Sequence, residues 1–507
     1  MTFAAPADSP PGGGVRQLLA NGLALLLAYV LPRIFTVASV VVAARFLGPT
    51  DFGAYGTAVA WAVVLSILAT LGMQPLLVRE MARAPQRAGA LLRAAHLVKA
   101  GTNAVMLLTL LVLCRWVLDL DVRVQHAALA LGVGYALAAW AENLGAWYQA
   151  AERMQVWARA SALFGFVSGT VGVALLLATG SLVAFCWGPA VGWSAALLYL
   201  VRRAPPASQA SRGPSALHDE TMADARFLLG GLAPFAAAFI GVAIYSKVDV
   251  LLMSRWRSEL DVGVYVAAYK FVDIFQALVI VAAAAVYPRL SRTAASRSWA
   301  GARSTEIILL AAVPAGLALH LVAGPATALL FGSDYAVSAG TVRILGLVLP
   351  LLAISIHGAY VLGAAGNMRP VAALYAVGIA VNILLNRSLI PAMGPQGAAL
   401  ARLASEAVMA IGFVGVLHVV ARSAPGPRTL ALAACAGALG WLAGLFPDPT
   451  GGWLRVAGAA GAWLALYVGG GALGRTEVRA LTSALREGRS SGSRAGRTLD
   501  HAGQGAP

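Results

Sequence analysis

Residues 245–270, YSKVDVLLMSRWRSELDVGVYVAAYK, contain the end of one long apolar segment, a short charged turn and the start of a second apolar segment. Both segments are longer than the roughly 20 residues that a helix needs to cross the hydrocarbon layer of a membrane. Lys247, Asp249 and Lys270 nevertheless lie inside them. Because a charged side chain is costly in hydrocarbon, this stretch predicts a transmembrane helical hairpin whose charges have a partner or a function.

The composition of the whole chain supports a membrane protein. Of 507 residues, 59% are hydrophobic and 11% are charged, whereas soluble proteins carry about 25% charged residues because their surfaces face water. A soluble multidomain enzyme is therefore excluded. The three cysteines, Cys114, Cys186 and Cys435, lie far apart in apolar segments without CxxC spacing, so we expect buried free thiols and neither a disulfide framework nor a metal site.

Apolar windows of about 20 residues predict an all-α integral membrane protein with about 14 transmembrane helices. The predicted helices are 16–46, 52–78, 88–116, 124–150, 157–179, 182–201, 224–254, 261–288, 304–324, 336–362, 368–388, 396–421, 427–446 and 452–473.

The polar residues between these helices predict the domain organisation. A cytoplasmic linker at 202–223, rich in Arg and Pro, separates an N-terminal six-helix lobe, 16–201, from a C-terminal six-helix lobe, 224–421. The remaining parts are a cytoplasmic N-terminal segment, two additional transmembrane helices and a basic, disordered cytoplasmic tail, at 1–15, 427–473 and 474–507.

Arginines mark one side of the predicted membrane. Loops on that side carry residues such as Arg79, Arg153 and Arg289, whereas the opposite loops carry fewer arginines, partly balanced by acids such as Asp51 and Asp121. Cytoplasmic loops are the ones enriched in Arg and Lys, so both termini are predicted to be cytoplasmic. No loop is long enough for an extramembrane catalytic domain.

The chain contains an internal repeat at an offset of about 210 residues. Residues 45–55, RFLGPTDFGAY, match residues 255–265, RWRSELDVGVY, at five positions, and each copy joins the first and second helices of a lobe. Two lobes of the same orientation around a central cavity form the architecture of alternating-access carriers built from parallel repeats.

Ionisable residues inside the predicted helices are few, and each predicts a cavity or a partner. They are Arg33, Glu142, Lys247, Asp249, Lys270, Asp273, Arg402 and Glu406, with His320, Arg343 and His357 nearer the helix ends. The chain has 34 arginines and only three lysines, Lys99, Lys247 and Lys270, all within or at the edge of helices. A compact ammonium at Lys247 and Lys270 is suited to contact with a phosphate.

Spacing leaves structural and functional interpretations open for several of these charges. Lys270 and Asp273 share a helix face, as do Arg402 and Glu406, and either pair could be a structural salt bridge. Arg33 has no acidic residue within one turn, so it is a candidate anion contact unless it snorkels or meets an acid elsewhere in the chain. Lys270 could also snorkel.

Motifs for nucleotide hydrolysis and for glycosyl transfer are missing from the sequence. It contains no GxxxxGK[ST] phosphate loop, acidic metal cluster or DxD-like sugar-nucleotide motif, so neither ATP hydrolysis nor glycosyl transfer has a visible site. We expect a protein that is not an enzyme, uses no cofactor and binds no nucleic acid. Its work would come from the substrate gradient or from a coupling ion, H⁺ or Na⁺.

Several stretches resemble the polysaccharide-biosynthesis flippases of the multidrug/oligosaccharidyl-lipid/polysaccharide exporter superfamily. They are YSKVDVLLM at 245–253, DVGVYVAAYK at 261–270, YPRLSR at 287–292, RFLGP at 45–49, LFG at 330–332, and Asn382 and Asn386 with LIP at 389–391. The likeness covers roughly residues 16–420. Ala243 stands at the repeat position of Arg33, so the cations are not symmetric between the lobes.

The resemblance implies transport of a lipid-linked saccharide. A member of this family is expected in a bacterial inner membrane, where it moves an undecaprenyl-diphosphate-linked oligosaccharide from the cytoplasmic to the periplasmic leaflet for O-antigen, capsule or exopolysaccharide, alongside polymerase and export machinery. On this hypothesis Arg33, Lys247 and Lys270 bind the diphosphate. Asp249, Asp273 and Glu142 are candidate coupling or cavity carboxylates.

Three other functions remain open at this point. A cation-coupled drug exporter of the same superfamily would need a carboxylate-rich pocket, a lipid II flippase would differ only in its cargo, and a saccharide polymerase or ligase would need a large extracytoplasmic loop.

Overall fold

The computed structural model describes residues 13–203, 214–290 and 294–427, together with scattered positions between 429 and 463. These residues form helices joined by short turns, and no strand occurs among them. Ten of the described helical segments are long and apolar enough to cross a membrane. The protein is therefore a multi-pass integral membrane protein.

The described helices fall into two groups along the chain. The first group is α1 (Gly13–Thr70), α2 (Met73–Arg83), α3 (Ala88–Val112), α4 (Val122–Ala150), α5 (Met154–Thr179), α6 (Leu182–Cys186) and α7 (Gly188–Arg203). The second group is α8 (Pro214–Trp256), α9 (Glu259–Leu290), α10 (Ala294–Leu321), α11 (Ala323–Phe331), α12 (Ser338–Ala364), α13 (Met368–Met393) and α14 (Pro395–Val416).

The first two predicted helices are the two arms of α1, which turns a corner at Gly48. This residue has φ 73° and ψ 173°, a backbone conformation that a Cβ atom would oppose. Pro49 follows and has no N–H to donate to the preceding turn. The corner accounts for the single long span Pro32–Arg83 where the sequence predicted two.

Each group packs into a bundle. In the N-terminal bundle, α1 through α7, the central α4 lies against α1, α3 and α7, and α5 lies against α1 and α7. In the C-terminal bundle, α8 through α14, helix α12 lies against α9, α10 and α14, and α13 packs on α8 and α14. Contacts between α1 and α9 join the bundles.

The first part of α8 crosses from its own bundle to the other. Leu228 and Leu232 are buried against Met73, Leu77 and other apolar residues of α2 and α3. Asp224 is 3% exposed and forms an ion pair with Arg87, with 2.5 Å between Asp224 Oδ1 and Arg87 Nη2. Helix α8 thus begins at Pro214, within the segment predicted as a linker, and its residues 224–232 cover one end of the N-terminal bundle.

The additional helices 427–446 and 452–473 and the tail 474–507 lie largely or wholly outside the described residues. The prediction of three buried thiols is wrong at Cys435, which is exposed, whereas Cys114 and Cys186 are buried. An apolar side chain on an outer helix of a transmembrane bundle can face lipid, so it need not be covered by protein.

Candidate anion-binding site between the bundles

The three predicted cations meet around one carboxylate. Lys270 on α9 donates to Asp273 one turn later, with 2.9 Å between Nζ and Oδ2. Arg33 on α1 and Lys247 on α8 are also close enough to Asp273 to interact with its charge. Three positive groups from two bundles therefore act on the same carboxylate, Asp273.

The charge balance of this group favours an anion. Counted together with the adjacent charges of the C-terminal bundle, four cations stand beside three carboxylates, an excess of one positive charge among these residues: Arg33, Lys247, Lys270 and Arg402 against Asp273, Asp249 and Glu406. The side chains of Lys270 and Asp273 are 16% and 30% exposed, so the pair is not sealed in the protein. Partly exposed ammonium and guanidinium groups can bind a phosphate oxygen through charge-assisted hydrogen bonds.

Asp249 belongs to a second, fully buried network in the C-terminal bundle. Its Oδ1 accepts from Asn386 Nδ2 at 2.8 Å, and its Oδ2 accepts from Tyr265 Oη at 2.8 Å. Arg402 lies between Asp249 and Glu406, with N···O distances of 4.0 Å and 3.4 Å. The predicted Arg402–Glu406 pair is therefore one side of a cluster that has two carboxylates and one guanidinium.

The ring of Tyr269 lies near a cation of each group. Lys247 Nζ lies 5.7 Å from the ring centroid of Tyr269, and the Arg402 guanidinium carbon also lies 5.7 Å from that centroid. Lys247 is also close enough to interact with the charges of both groups, those of Asp249 and Arg402 and those of Asp273 and Lys270. Two charged clusters, one partly exposed and one buried, thus lie side by side.

Glu142 occupies a different place from the other predicted carboxylates. Its charge interacts with Lys99 of α3, and Glu142 is not among the described charges that act on Asp273. Lys99 is 1% exposed and donates from Nζ to the carbonyl of Thr70, the last residue of α1, at 3.0 Å. A cation is favourable at a helix C-terminus, so this pair stabilises the end of α1.

The two histidines among the predicted intramembrane residues form hydrogen bonds between α10 and α12. His357 Nε2 lies 2.7 Å from Ser304 Oγ, and His320 Nδ1 lies 2.9 Å from the carbonyl of Arg343. Both histidines thus join neighbouring helices through hydrogen bonds. Neither is part of the cation group.

The two copies of the internal repeat meet face to face. A Cβ atom on Gly53 would overlap the carbonyl of Glu259, and one on Gly263 would overlap the carbonyl of Pro49. Since glycine has no Cβ, the two backbones can cross in direct contact. The repeat therefore forms a symmetric crossing that brings the bundles together at the end predicted to be extracytoplasmic.

Polar contacts surround this crossing. Arg123 of the N-terminal bundle pairs with Asp51 at 3.1 Å and reaches Glu259 of the C-terminal bundle at 3.9 Å. The backbone N–H of Arg123 donates to Asp121 and lowers the pKa of this carboxyl below its ordinary value, and the Arg123 guanidinium lowers it further. Arg45 donates to the carbonyls of Leu329 and Leu330 in α11. These contacts join the two bundles at this end of the molecule.

Comparison with known proteins identifies the family. Residues 18–294, more than half of the chain, match the family described as polysaccharide biosynthesis protein. The chain belongs to this family. Residues 234–387 also match the MatE family. The resemblance to the polysaccharide-biosynthesis family seen in the sequence is thereby confirmed.

Solved structures show the same fold for this polysaccharide biosynthesis protein. A structure described as the lipid II flippase MurJ in an inward closed conformation has a TM-score of 0.67 at 13% identity, and covers 89% of this chain and 98% of its own. An inward-facing multidrug resistance MATE family transporter has a TM-score of 0.62 at 14% identity, with 77% and 97% covered. The eukaryotic MATE transporter AtDTX14 has a TM-score of 0.56 at 14% identity, with 83% and 98% covered. No curated protein matches the chain by sequence.

Several residues of the site had no individual signal in the sequence of this polysaccharide biosynthesis protein. Tyr265 and Tyr269 are one helical turn apart on α9 and read as ordinary apolar-face residues. The structure gives Tyr265 a carboxylate partner and places Tyr269 near two cations, Lys247 and Arg402. Asn386, noted only as part of the family pattern, donates to Asp249.

Proposed function

We propose that this protein is a flippase that moves an undecaprenyl-diphosphate-linked oligosaccharide, the repeat unit of a polysaccharide, from the cytoplasmic to the periplasmic leaflet of a bacterial inner membrane. The observation that supports it most is the gathering of Arg33, Lys247 and Lys270 around Asp273 at the junction of the bundles. A diphosphate carries negative charge that these three cations can bind. Family membership supports the same class of cargo.

The proposed mechanism is alternating access. Two six-helix lobes enclose a central cavity, with two further helices outside them, and the diphosphate enters from the cytoplasmic side. Pairing with the cations offsets the cost of removing the diphosphate from water. The lobes then part at the glycine crossing, and the cargo leaves outward.

The carboxylates suggest where transport is coupled to energy. In this proposal the diphosphate displaces Asp273 from the cations when it binds. The change in charge then acts on Asp249 through its neighbours, the ring of Tyr269 and the guanidinium of Arg402. Glu142 belongs to the support of α1 and not to this exchange. A coupling ion, H⁺ or Na⁺, would act at the carboxylates.

A translocation assay tests the proposal. Purified protein in liposomes should move a fluorescent undecaprenyl-diphosphate oligosaccharide between leaflets, whereas Arg33→Ala, Lys247→Ala and Lys270→Ala should each slow it by roughly tenfold or more, because a hydrogen bond to a charged group is worth about 1.5–3 kcal/mol. The control is Arg79→Ala, whose side chain is 49% exposed and pairs with neighbouring Glu80. Wild-type rates in all three site variants would remove the residue assignment.

Asp273→Asn should affect the binding of the diphosphate in the opposite direction from the three cation variants. Asp273 competes with the diphosphate for the same cations, so its neutralisation should tighten binding of undecaprenyl diphosphate by several-fold. Binding measured at increasing salt should also fall more steeply than for the wild type, since more cations are available to the ligand. Unchanged or weaker binding would contradict the assignment of Asp273 as competitor.

The same liposomes distinguish the rival cargoes. Lipid II in place of the oligosaccharide tests a lipid II flippase, a function named for one protein of the same fold. A cationic dye tests a drug exporter, the function named for another. Three cations around one carboxylate disfavour a cationic substrate, so we expect no dye transport. Dye transport without lipid transport would overturn the proposal.

A further inference from the structure

The N-terminal bundle contains a cavity of about 180 Å³ that has no part in the proposed diphosphate site. It lies between α1, α4, α5, α6 and α7, and we call it the tyrosine cavity. Aromatic rings form much of its wall: Tyr55, Tyr135, Phe164, Phe185 and Trp193. None of the described residues that line it carries a charge.

The polar groups of the tyrosine cavity are hydroxyls. Those of Tyr55, Tyr135 and Ser168 have no hydrogen-bond partner in the part of the chain that the structure describes. Thr36 and Ser39 also line the cavity, where their oxygens can accept further hydrogen bonds. Three hydroxyls without a protein partner around one space can hydrogen-bond to a ligand with polar groups of its own.

Aromatic walls together with hydroxyls suit one chemical class. The carbon–hydrogen faces of a pyranose ring pack on aromatic rings, and its hydroxyl groups need hydrogen-bond partners on the ring edge. Phe164 and Trp193, which both line the cavity, stack on each other with 4.1 Å between centroids, so this part of the aromatic wall is held in place. The absence of charge in the described lining fits an uncharged sugar.

The cavity adjoins the cation group. Thr36 and Ser39 follow Arg33 on α1 by three and six residues, which corresponds to about 4.5 and 9 Å along a helix axis. Tyr55 and Tyr135 also interact with the charge of Asp273, the carboxylate at the centre of that group. A ligand with its diphosphate at the cations could therefore extend its next unit into the cavity.

We infer that the tyrosine cavity binds the sugar unit attached directly to the diphosphate. This inference rests on the proposed function and deepens it, because it names a subsite and an uncharged pyranose as its ligand. Tyr55, Tyr135 and Ser168 donate to or accept from the sugar hydroxyls, and the aromatic wall of the cavity packs on the ring. The cavity thereby adds affinity only when a sugar is present.

Binding of two probes tests the inference. The full-length protein in lipid nanodiscs is titrated with undecaprenyl diphosphate and with undecaprenyl diphosphate that bears one glucose, galactose or N-acetylglucosamine. At least one sugar-bearing lipid should bind the wild type more tightly than the sugar-free lipid. Tyr135→Phe and Ser168→Ala should each reduce that difference about fivefold, the usual effect of losing one neutral hydrogen bond, and should leave binding of the sugar-free lipid unchanged.

Tyr199→Phe is the matched control. Tyr199 lies on α7 of the same bundle, its hydroxyl is buried without a hydrogen-bond partner among the described residues, and it does not line the cavity. It should bind both probes as the wild type does. Thermal unfolding of all three variants identifies any that are misfolded.

The outcomes separate the inference from the proposed function. If the wild type binds neither lipid, the proposed function fails, and the subsite fails with it. If both lipids bind equally well, or if both variants keep the full sugar-dependent difference, the subsite is wrong while the function stands. Equal weakening of both lipids in the variants would also overturn it, because that result indicates a site for the prenyl chain.

Discussion

Arg402 shows how one side chain organises the interior of the C-terminal bundle. It is 2% exposed, and its guanidinium faces Asp249 and Glu406 while Nη1 donates to the carbonyl of Tyr245 at 2.7 Å. The guanidinium carbon lies 4.0 Å from the centroid of the Tyr245 ring. Spacing within α14 predicted the Glu406 contact, whereas Asp249 is 153 positions away in the chain and only the fold brings it near.

Removal of Arg402 should therefore destabilise the protein strongly. Arg402→Leu leaves two buried carboxylates without their cation, and loss of one partner from a buried ion pair costs about 3–5 kcal/mol. We expect a large drop in the unfolding temperature in detergent. Arg255→Leu, at an exposed arginine near the end of α8, is the control and should change stability by less than about 0.5 kcal/mol.

The double variant Arg402→Leu/Glu406→Leu refines this prediction. It removes one of the stranded carboxylates together with the guanidinium, so it should recover part of the stability lost in Arg402→Leu. If Arg402→Leu unfolds at the wild-type temperature, the guanidinium does not balance these carboxylates.

The crossing of the α1 arm with α9 depends on two glycines at equivalent positions of the repeat. The sequence showed that Gly53 and Gly263 correspond, but similar glycines in two turns do not reveal that the turns touch. The structure shows each glycine against a carbonyl of the other copy, Glu259 or Pro49. Helix surfaces can approach this closely only where side chains are absent.

A methyl group at either glycine should force the elements apart. Gly53→Ala and Gly263→Ala should each increase labelling of a cysteine at Ala54, which is 0% exposed, by a membrane-impermeant maleimide added outside cells whose protein lacks its native cysteines. Gly101→Ala is the control, since a Cβ there meets no atom within 4 Å. Labelling of both glycine variants at the control level would show that the crossing does not close this end.

The whole molecule is held at both ends by contacts between its bundles. Arg123 links Asp51 and Glu259 beside the glycine crossing. At the other end, Arg87 of the N-terminal bundle pairs with Asp224 of α8. Alternating access requires one set of contacts to break while the other persists.

Loss of the two arginines should have opposite effects on access to the cations. With a cysteine in place of Lys247 as a reporter, Arg87→Ala should increase labelling from the cytoplasmic side, and Arg123→Ala should increase it from the outside. The effect of Arg87→Ala should be larger, because Asp224 is buried whereas Arg123 and its partners are substantially exposed and exposed pairs contribute about 0.2–1 kcal/mol. Equal labelling from both sides in both variants would argue against a two-sided gate.

The sequence by itself determined that the chain enters a membrane, where most of its helices run, that it contains a repeat, and which charges lie in unfavourable surroundings. These properties are local, because hydrophobicity and spacing along one helix fix them. Only the tertiary structure decided that Arg33 shares Asp273 with two lysines, that Glu142 stays apart from them, and that an aromatic cavity lies beside Arg33. Those results depend on distances between residues that are far apart in the chain, and packing of the helices alone sets such distances.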